Sequence, residues 1–193
     1  MSEKKYNRED FYPSYYHDPE LIKLAKPITT LVFDIDGVFT DAGIYLDSNG
    51  EHSKRFNIQD GLGIMLAHEA GLKVAVITGQ SSPAVDKRMN ILKINNYYHG
   101  FIDKREPIND LKNKYNLSWN EIAYLGDDWV DLSCLASVGF PVAVNNAVPE
   151  VKEAAKLVTL ASGGHGAVRE FIQFILYTQN KLQTILNKFN QPA

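Results

Sequence analysis

The chain has 193 residues, enough for one domain with a substantial core. Hydrophobic residues make up 45%, charged residues 22%, and the formal net charge is −3, so neither disorder, nucleic-acid binding nor attraction to an anionic membrane is indicated. An apolar run of about 18 residues is lacking, the charged start MSEKKYNRED does not read as a signal peptide, and a single cysteine, Cys134, cannot form an internal disulfide; a reducing, cytosolic setting is expected.

In chain order, residues 1–27 form a polar, tyrosine-rich stretch punctuated by Pro13, Pro19 and Pro27, expected to act as a packing arm ahead of one domain over 28–193. Within it, 18–25 predicts a short helix with Asp18 as N-cap and Pro19 in the first turn. The apolar run 29–34 has strand length. Residues 43–57, within an insertion spanning 41–57, predict a β-hairpin with Asn49-Gly50 in its turn. Leu62, Met65, Leu66 and Ala70 recur at helical spacing over 60–71, ending on a glycine.

A second apolar strand follows at 73–78, then a helix over 81–94 with Ser82 as N-cap and Pro83 behind it. Residues 96–102 predict a strand and 107–117 a helix. Ser118 and Glu121 have capping-box spacing immediately before another strand, which runs up to 127. A helix over 128–138, a strand over 140–145, a helix over 148–155 and a short strand over 157–160 complete the alternation. Residues 166–189 repeat apolar side chains from Val168 to Leu186 and predict one long amphipathic helix. Short apolar strands alternating with helices give an α/β fold, a doubly wound, Rossmann-like parallel sheet, whose ligands belong at the carboxyl ends of the strands.

Those ends carry chemistry. The first delivers Asp34-Ile35-Asp36, the second Thr78-Gly79, and the fourth Gly126-Asp127-Asp128 with Asp131 one turn on; Lys104 lies just past the third. Asp34 and Asp36, at i and i+2, share a face, and two such carboxylates repel each other unless a cation sits near them. A carboxylate can attack phosphorus, and a second one can protonate the leaving oxygen and then activate water. A hard cation such as Mg²⁺ suits an all-oxygen ligand set and neutralises a transferring phosphoryl group, to which Thr78 and the backbone at Gly79 can donate. Lys104 can hold the nucleophile ionised.

FDIDGVFTD, VITGQ, Lys104 and LGDDWVDLS resemble the four motifs of the haloacid-dehalogenase superfamily of phosphohydrolases. The hairpin followed by FNIQDGLGI, together with the late GGHGAVRE, resembles the 3-deoxy-D-manno-octulosonate 8-phosphate phosphatases, a likeness running from about DPELIKLAK to the last helix. The resemblance implies hydrolysis of that sugar-acid phosphate through an aspartyl-phosphate, in lipopolysaccharide sugar biosynthesis. Asp34 would be nucleophile and metal ligand. Asp36 would be acid/base and lend the metal its backbone carbonyl. Asp127 would be the third protein ligand, with Asp128 and Asp131 supporting it, and Thr78 and Lys104 would bind the phosphoryl group. Asn57, Ile58, Gln59, Asp60, Gly61, Gly79, Gln80 and Arg88, with Asp36 and Lys104, would meet the substrate.

The family's small members lack a separate cap domain, and there is no room for one here. Water exclusion is then expected from neighbours in a homotetramer joined through its hairpins, with a C-terminal segment partly covering an adjacent site. Gln80 stands where the family is expected to carry arginine, and His165 where GGRGAVRE is common. Gln80 leaves a nine-carbon sialic-type sugar acid 9-phosphate open as substrate.

Plainer readings stand beside these. Asp34 and Asp36 could form an exposed acidic turn, the GDD acids could serve a helix dipole, and Lys104 could be a solvated lysine. Arg88 could make a surface ion pair, His165 could sit in a flexible segment, and Cys134 is expected in the core. His52, His68 and His99 are too scattered for zinc. A receiver-type phosphoacceptor domain also clusters acids, Thr and Lys on such a sheet, and a catalytically silent binding protein could keep the fold.

Overall fold

A computed structural model describes residues 11–49 and 52–190. Six strands form one parallel sheet in the order β5-β4-β1-β6-β7-β8. These are β1 (Thr30–Phe33), β4 (Lys73–Thr78), β5 (Asn96–His99), β6 (Ile122–Gly126), β7 (Phe140–Ala143) and β8 (Leu157–Val158). Every residue of β1 is buried, as expected of a central strand with both faces covered. Phe33, the last residue of β1, pairs with Val76 on one side and Leu125 on the other, and β4 and β6 run on past it to Thr78 and Gly126. That register brings residues 34, 78 and 127 to one edge.

The core is apolar and aromatic. Helix α7 (Ala167–Thr178) lies along α2 (Ile58–Glu69), and Phe171 meets the rings of Phe33 and Phe140. The tyrosines before α1 (Pro19–Ala25) pack on α7: Tyr16 is buried against Phe174 and Tyr177, and the Tyr15 hydroxyl donates to Glu170 at 2.7 Å. Asp18 caps α1 by accepting from the N–H groups of Glu20 and Leu21. Cys134 is buried in the core.

Several elements differ from the sequence expectation. The long helix over 166–189 is two helices, α7 and α8 (Leu182–Phe189). Asn180 adopts a left-handed φ of 57°, a conformation asparagine tolerates at a helix end, and the apolar repeat resumes beyond it. The helix over 128–138 is a 3₁₀ turn, Trp129–Asp131, followed by the short α5 (Leu132–Leu135). The hairpin strands shrink to β2 (Tyr45–Leu46) and β3 (His52–Ser53); Gly50 of its expected turn lies outside the described residues. Helix α2 starts earlier than expected, with Asn57 accepting from the Gln59 N–H. Ser118 and Glu121 do form a capping box, closing a 3₁₀ turn before β6. Ser82 stands at the N-cap of α3 (Pro83–Ile91) without a side-chain capping bond. The other helices are α4 (Arg105–Lys114) and α6 (Pro149–Ala154).

Candidate active site

β1 runs directly into the site. The Asp34 N–H donates to Leu125 O at 3.1 Å, extending the ladder by one residue. The chain then turns sharply: the N–H groups of Val38, Phe39 and Thr40 all converge on Ile35 O. Thr40 Oγ1 accepts from the Gly37 N–H at 3.3 Å. Gly37 needs its lack of side chain twice over, because φ is 91° and a Cβ would fall 1.9 Å from Asp127 Oδ2. The tight loop therefore sets β1's acids against the end of β6.

Lys104 is completely buried between them. Its ammonium lies 2.7 Å from Asp34 Oδ1 and 2.7 Å from Asp131 Oδ1, and donates to the Tyr124 hydroxyl at 3.2 Å. Those three partners use all three donors of the ammonium. Tyr124 in turn donates to Asp131 Oδ1 at 2.7 Å. The other Asp131 oxygen accepts from the N–H groups of Asp127 (2.8 Å) and Asp128 (3.3 Å), which folds the GDD turn over the strand end. Asp131 is thus fully engaged, whereas Asp127 Oδ1 is buried with no hydrogen-bond partner. Asp128 is exposed.

Charge follows from this packing. Burial raises the Asp34 carboxyl against the pull of Lys104, and burial raises Asp127, helped by the negative charges of Asp34, Asp131 and Asp128. Burial alone would lower Lys104, but Asp34 and Asp131 outweigh it and hold the ammonium charged. Asp34, Asp127 and Asp131 each offer an oxygen within 4.8 Å of the others, the one such cluster found among the described residues. An all-oxygen set with an orphaned carboxylate oxygen fits a hard divalent cation such as Mg²⁺. Thr78 is buried at the end of β4, its Oγ1 accepting from the Gln80 N–H at 3.4 Å.

The structure treats the remaining expected substrate residues unequally. Ile58, Gln59 and Gln80 are exposed and Gly79 half-buried. Asp60 is fully buried and its carboxylate accepts from the Arg169 N–H at 2.9 Å, holding the start of α7. Gly61 accommodates Arg88, whose guanidinium donates to Asn57 O at 3.2 Å and lies over the Phe56 ring. Asp60 thus ties α2 to α7, and Gly61 and Arg88 tie α2 to α3, while Asp60 Oδ2 and Arg88 Nε are buried without a hydrogen-bond partner. His165 is exposed, with Nδ1 2.9 Å from Gly163 O.

Four contributors were not anticipated. Tyr124 could have been found as a lone phenol inside an apolar strand, two residues before Gly126. Lys54, just after β3, forms an ion pair with Asp36, and no sequence pattern marks it. Arg55 donates to Gly164 O at 3.0 Å, and Asn146 accepts from the Gly163 N–H at 2.7 Å. These bonds press the glycine segment against the first loop so closely that a Cβ on Gly163 would lie 1.6 Å from Gly37 O.

A doubly wound sheet with acids, a threonine and a buried lysine at its strand ends defines a phosphohydrolase class, and residues 96–172 match the family model described as haloacid dehalogenase-like hydrolase. The chain is 39% identical to the 3-deoxy-D-manno-octulosonate 8-phosphate phosphatase KdsC of Escherichia coli (strain K12) over 163 residues, covering 84% of this chain and 87% of that one. The KdsC of Yersinia pestis is 38% identical over 164 residues, covering 85% and 88%. A Moraxella catarrhalis phosphatase of the same name, crystallised with magnesium, phosphate and KDO, superposes with a TM-score of 0.87 at 34% identity, covering 89% of this chain and 98% of that one. The chain belongs to the 3-deoxy-D-manno-octulosonate 8-phosphate phosphatase family.

Proposed function

We propose that this protein is a Mg²⁺-dependent phosphomonoesterase releasing phosphate from 3-deoxy-D-manno-octulosonate 8-phosphate, in lipopolysaccharide sugar biosynthesis. The observation that carries the reading is Lys104, buried with its ammonium shared between Asp34 and Asp131, beside the unpartnered oxygen of Asp127. Asp34 is the nucleophile: its free oxygen bonds to phosphorus as the bond to the sugar O8 breaks, giving an aspartyl-phosphate. Asp36 gives its proton to O8, then takes one from the water that cleaves the aspartyl-phosphate and frees Asp34. Lys104 favours the ionised form of Asp34 against the effect of burial and faces the charge that builds on the phosphoryl oxygens, and the Thr78 hydroxyl and the backbone at Gly79 donate to those oxygens. Asp34, Asp127 and the backbone carbonyl of Asp36 would hold Mg²⁺, which supplies positive charge to the phosphoryl group. Asp131 and Asp128 shape the turn that presents Asp127. Asn57, Ile58, Gln59 and Gln80 border the sugar end.

A homotetramer joined through its hairpins completes the proposal. It is supported by Ile44, Tyr45 and Leu46, which are apolar and exposed on and beside β2. The cytoplasm is the proposed compartment, consistent with a lone, buried thiol; no helix among the described residues is long and apolar enough to cross a membrane. The test is a phosphate-release assay with Mg²⁺ over a panel of eight- and nine-carbon sugar-acid phosphates. The eight-carbon substrate is expected to turn over best, and Asp34→Asn to lower the rate by about 10⁴-fold or more. Equal activity of Asp34→Asn would overturn the reading, and a stable acyl-phosphate without turnover would favour a receiver-type domain.

A further inference from the structure

Lys54 comes from the hairpin, yet its side chain is only 12% exposed because its ammonium turns inward to Asp36. Two adjoining hollows meet at this residue. One, of about 220 Å³, lies between Asp36, the hairpin and Gln80. The other, of about 560 Å³, runs from His52 and Lys54 past Gln80 to Ser82 and Pro83 at the start of α3. Among the described residues, Lys54 is the only lysine or arginine lining either hollow.

A phosphomonoester attacked by Asp34, with its leaving oxygen at Asp36, extends its remaining body past Asp36 into these hollows. A carboxylate on that body approaches a site already carrying Asp34, Asp36 and Asp127, and repulsion keeps it out unless a cation stands between. The other cations near the site do not line these hollows. All three donors of Lys104 are taken by Asp34, Asp131 and Tyr124. Arg55 and Arg88 line neither hollow. Gln80, at the position where the family resemblance led us to expect arginine, has no charge. Lys54 has three donors, and Asp36 accepts from one.

Resting on the proposed function, we propose that Lys54 receives the carboxylate of the sugar acid and is the specificity-determining residue for acidic over neutral sugar phosphates in this chain. One ammonium then bridges the substrate's acid end and the carboxyl that protonates its leaving oxygen. Reading the anion and placing the proton donor become a single geometric act.

The test measures kcat/KM with Mg²⁺ for 3-deoxy-D-manno-octulosonate 8-phosphate and for a carboxylate-free pentose 5-phosphate, and takes the ratio of the two. The ratio cancels any loss of folded enzyme. Lys54→Met is expected to lower it by about 10- to 100-fold, the fold-change that one hydrogen bond to a charged group carries, mainly through KM for the acid. Lys54→Arg is expected to keep most of the ratio. Adding Gln80→Arg to Lys54→Met returns a cation to the same wall and is expected to regain part of it. A ratio unchanged in Lys54→Met overturns the proposal, whether both rates fall together or neither does, because Lys54 would then act through Asp36 alone. Wild-type enzyme that hydrolyses the pentose phosphate and no sugar-acid phosphate overturns the functional reading itself, a result distinct from an unchanged ratio.

Discussion

The carboxyl edge of the sheet and the hairpin that overhangs it are built by opposite means. At the edge, Asp34, Lys104 and Asp131 are buried, and Lys104, Tyr124 and Asp131 satisfy one another in a closed network. The hairpin has two short strands, exposed apolar residues, and an inward ion pair from Lys54 to Asp36. Removing one partner of a buried charge leaves the other uncompensated, so this network is intolerant of substitution. The hairpin has little buried surface of its own to lose, and can carry specificity and assembly.

The sharpest way to break the contrast is Lys104→Met. It strands Asp34 and Asp131 in a buried site, and is expected to cost about 3–5 kcal/mol of stability. The midpoint of thermal unfolding should fall by roughly 10 °C, and phosphate release by about 10²–10³-fold. A calorimetric trace within a degree or two of wild type would mean that the network carries no strain when opened.

A milder perturbation leaves the sequence intact. Asp34 and Asp127 have carboxyls raised in the folded state, so without a divalent ion the native protein binds more protons than the unfolded chain. Their contribution therefore makes stability fall as pH rises from about 4 towards neutrality and beyond. A bound cation competes with those protons and relieves the repulsion. The rise in unfolding midpoint on adding Mg²⁺ is expected to be small near about pH 5 and to grow towards about pH 8. A rise independent of pH would detach metal binding from these two acids.

The smallest effect on stability belongs to the hairpin. Leu46→Glu is expected to change the stability of a single chain by about 0.5 kcal/mol or less, while lowering the mass of the proposed tetramer in light scattering. An unsubstituted protein that scatters as a single active chain would end the tetramer proposal.

Sequence legibility divides along the same line. β1, β4, β6 and β7 were readable because strands buried on both faces become unbroken apolar runs, and the capping box before β6 was visible in Ser118 and Glu121 alone. Asp34, Thr78, Lys104 and Asp127 could be named because a parallel sheet delivers the residues following its strands to one edge. What local pattern missed is instructive. The apolar repeat continues across Asn180 and conceals the break between α7 and α8. The GDD helix opens as a 3₁₀ turn capped reciprocally by Asp128 and Asp131 and ends at Leu135.

From the amino-acid order alone came the alternation of strand and helix and the acids at the strand ends, since both rest on periodicities of a few residues. Folding in three dimensions decided that Asp60 meets the Arg169 N–H and Arg88 the Asn57 carbonyl, that Tyr124 completes the charge network, and that Lys54 reaches Asp36. Those pairings join residues far apart along the chain, where no short-range pattern links them; only the register of the sheet and the bend of the hairpin bring them within a hydrogen bond's reach.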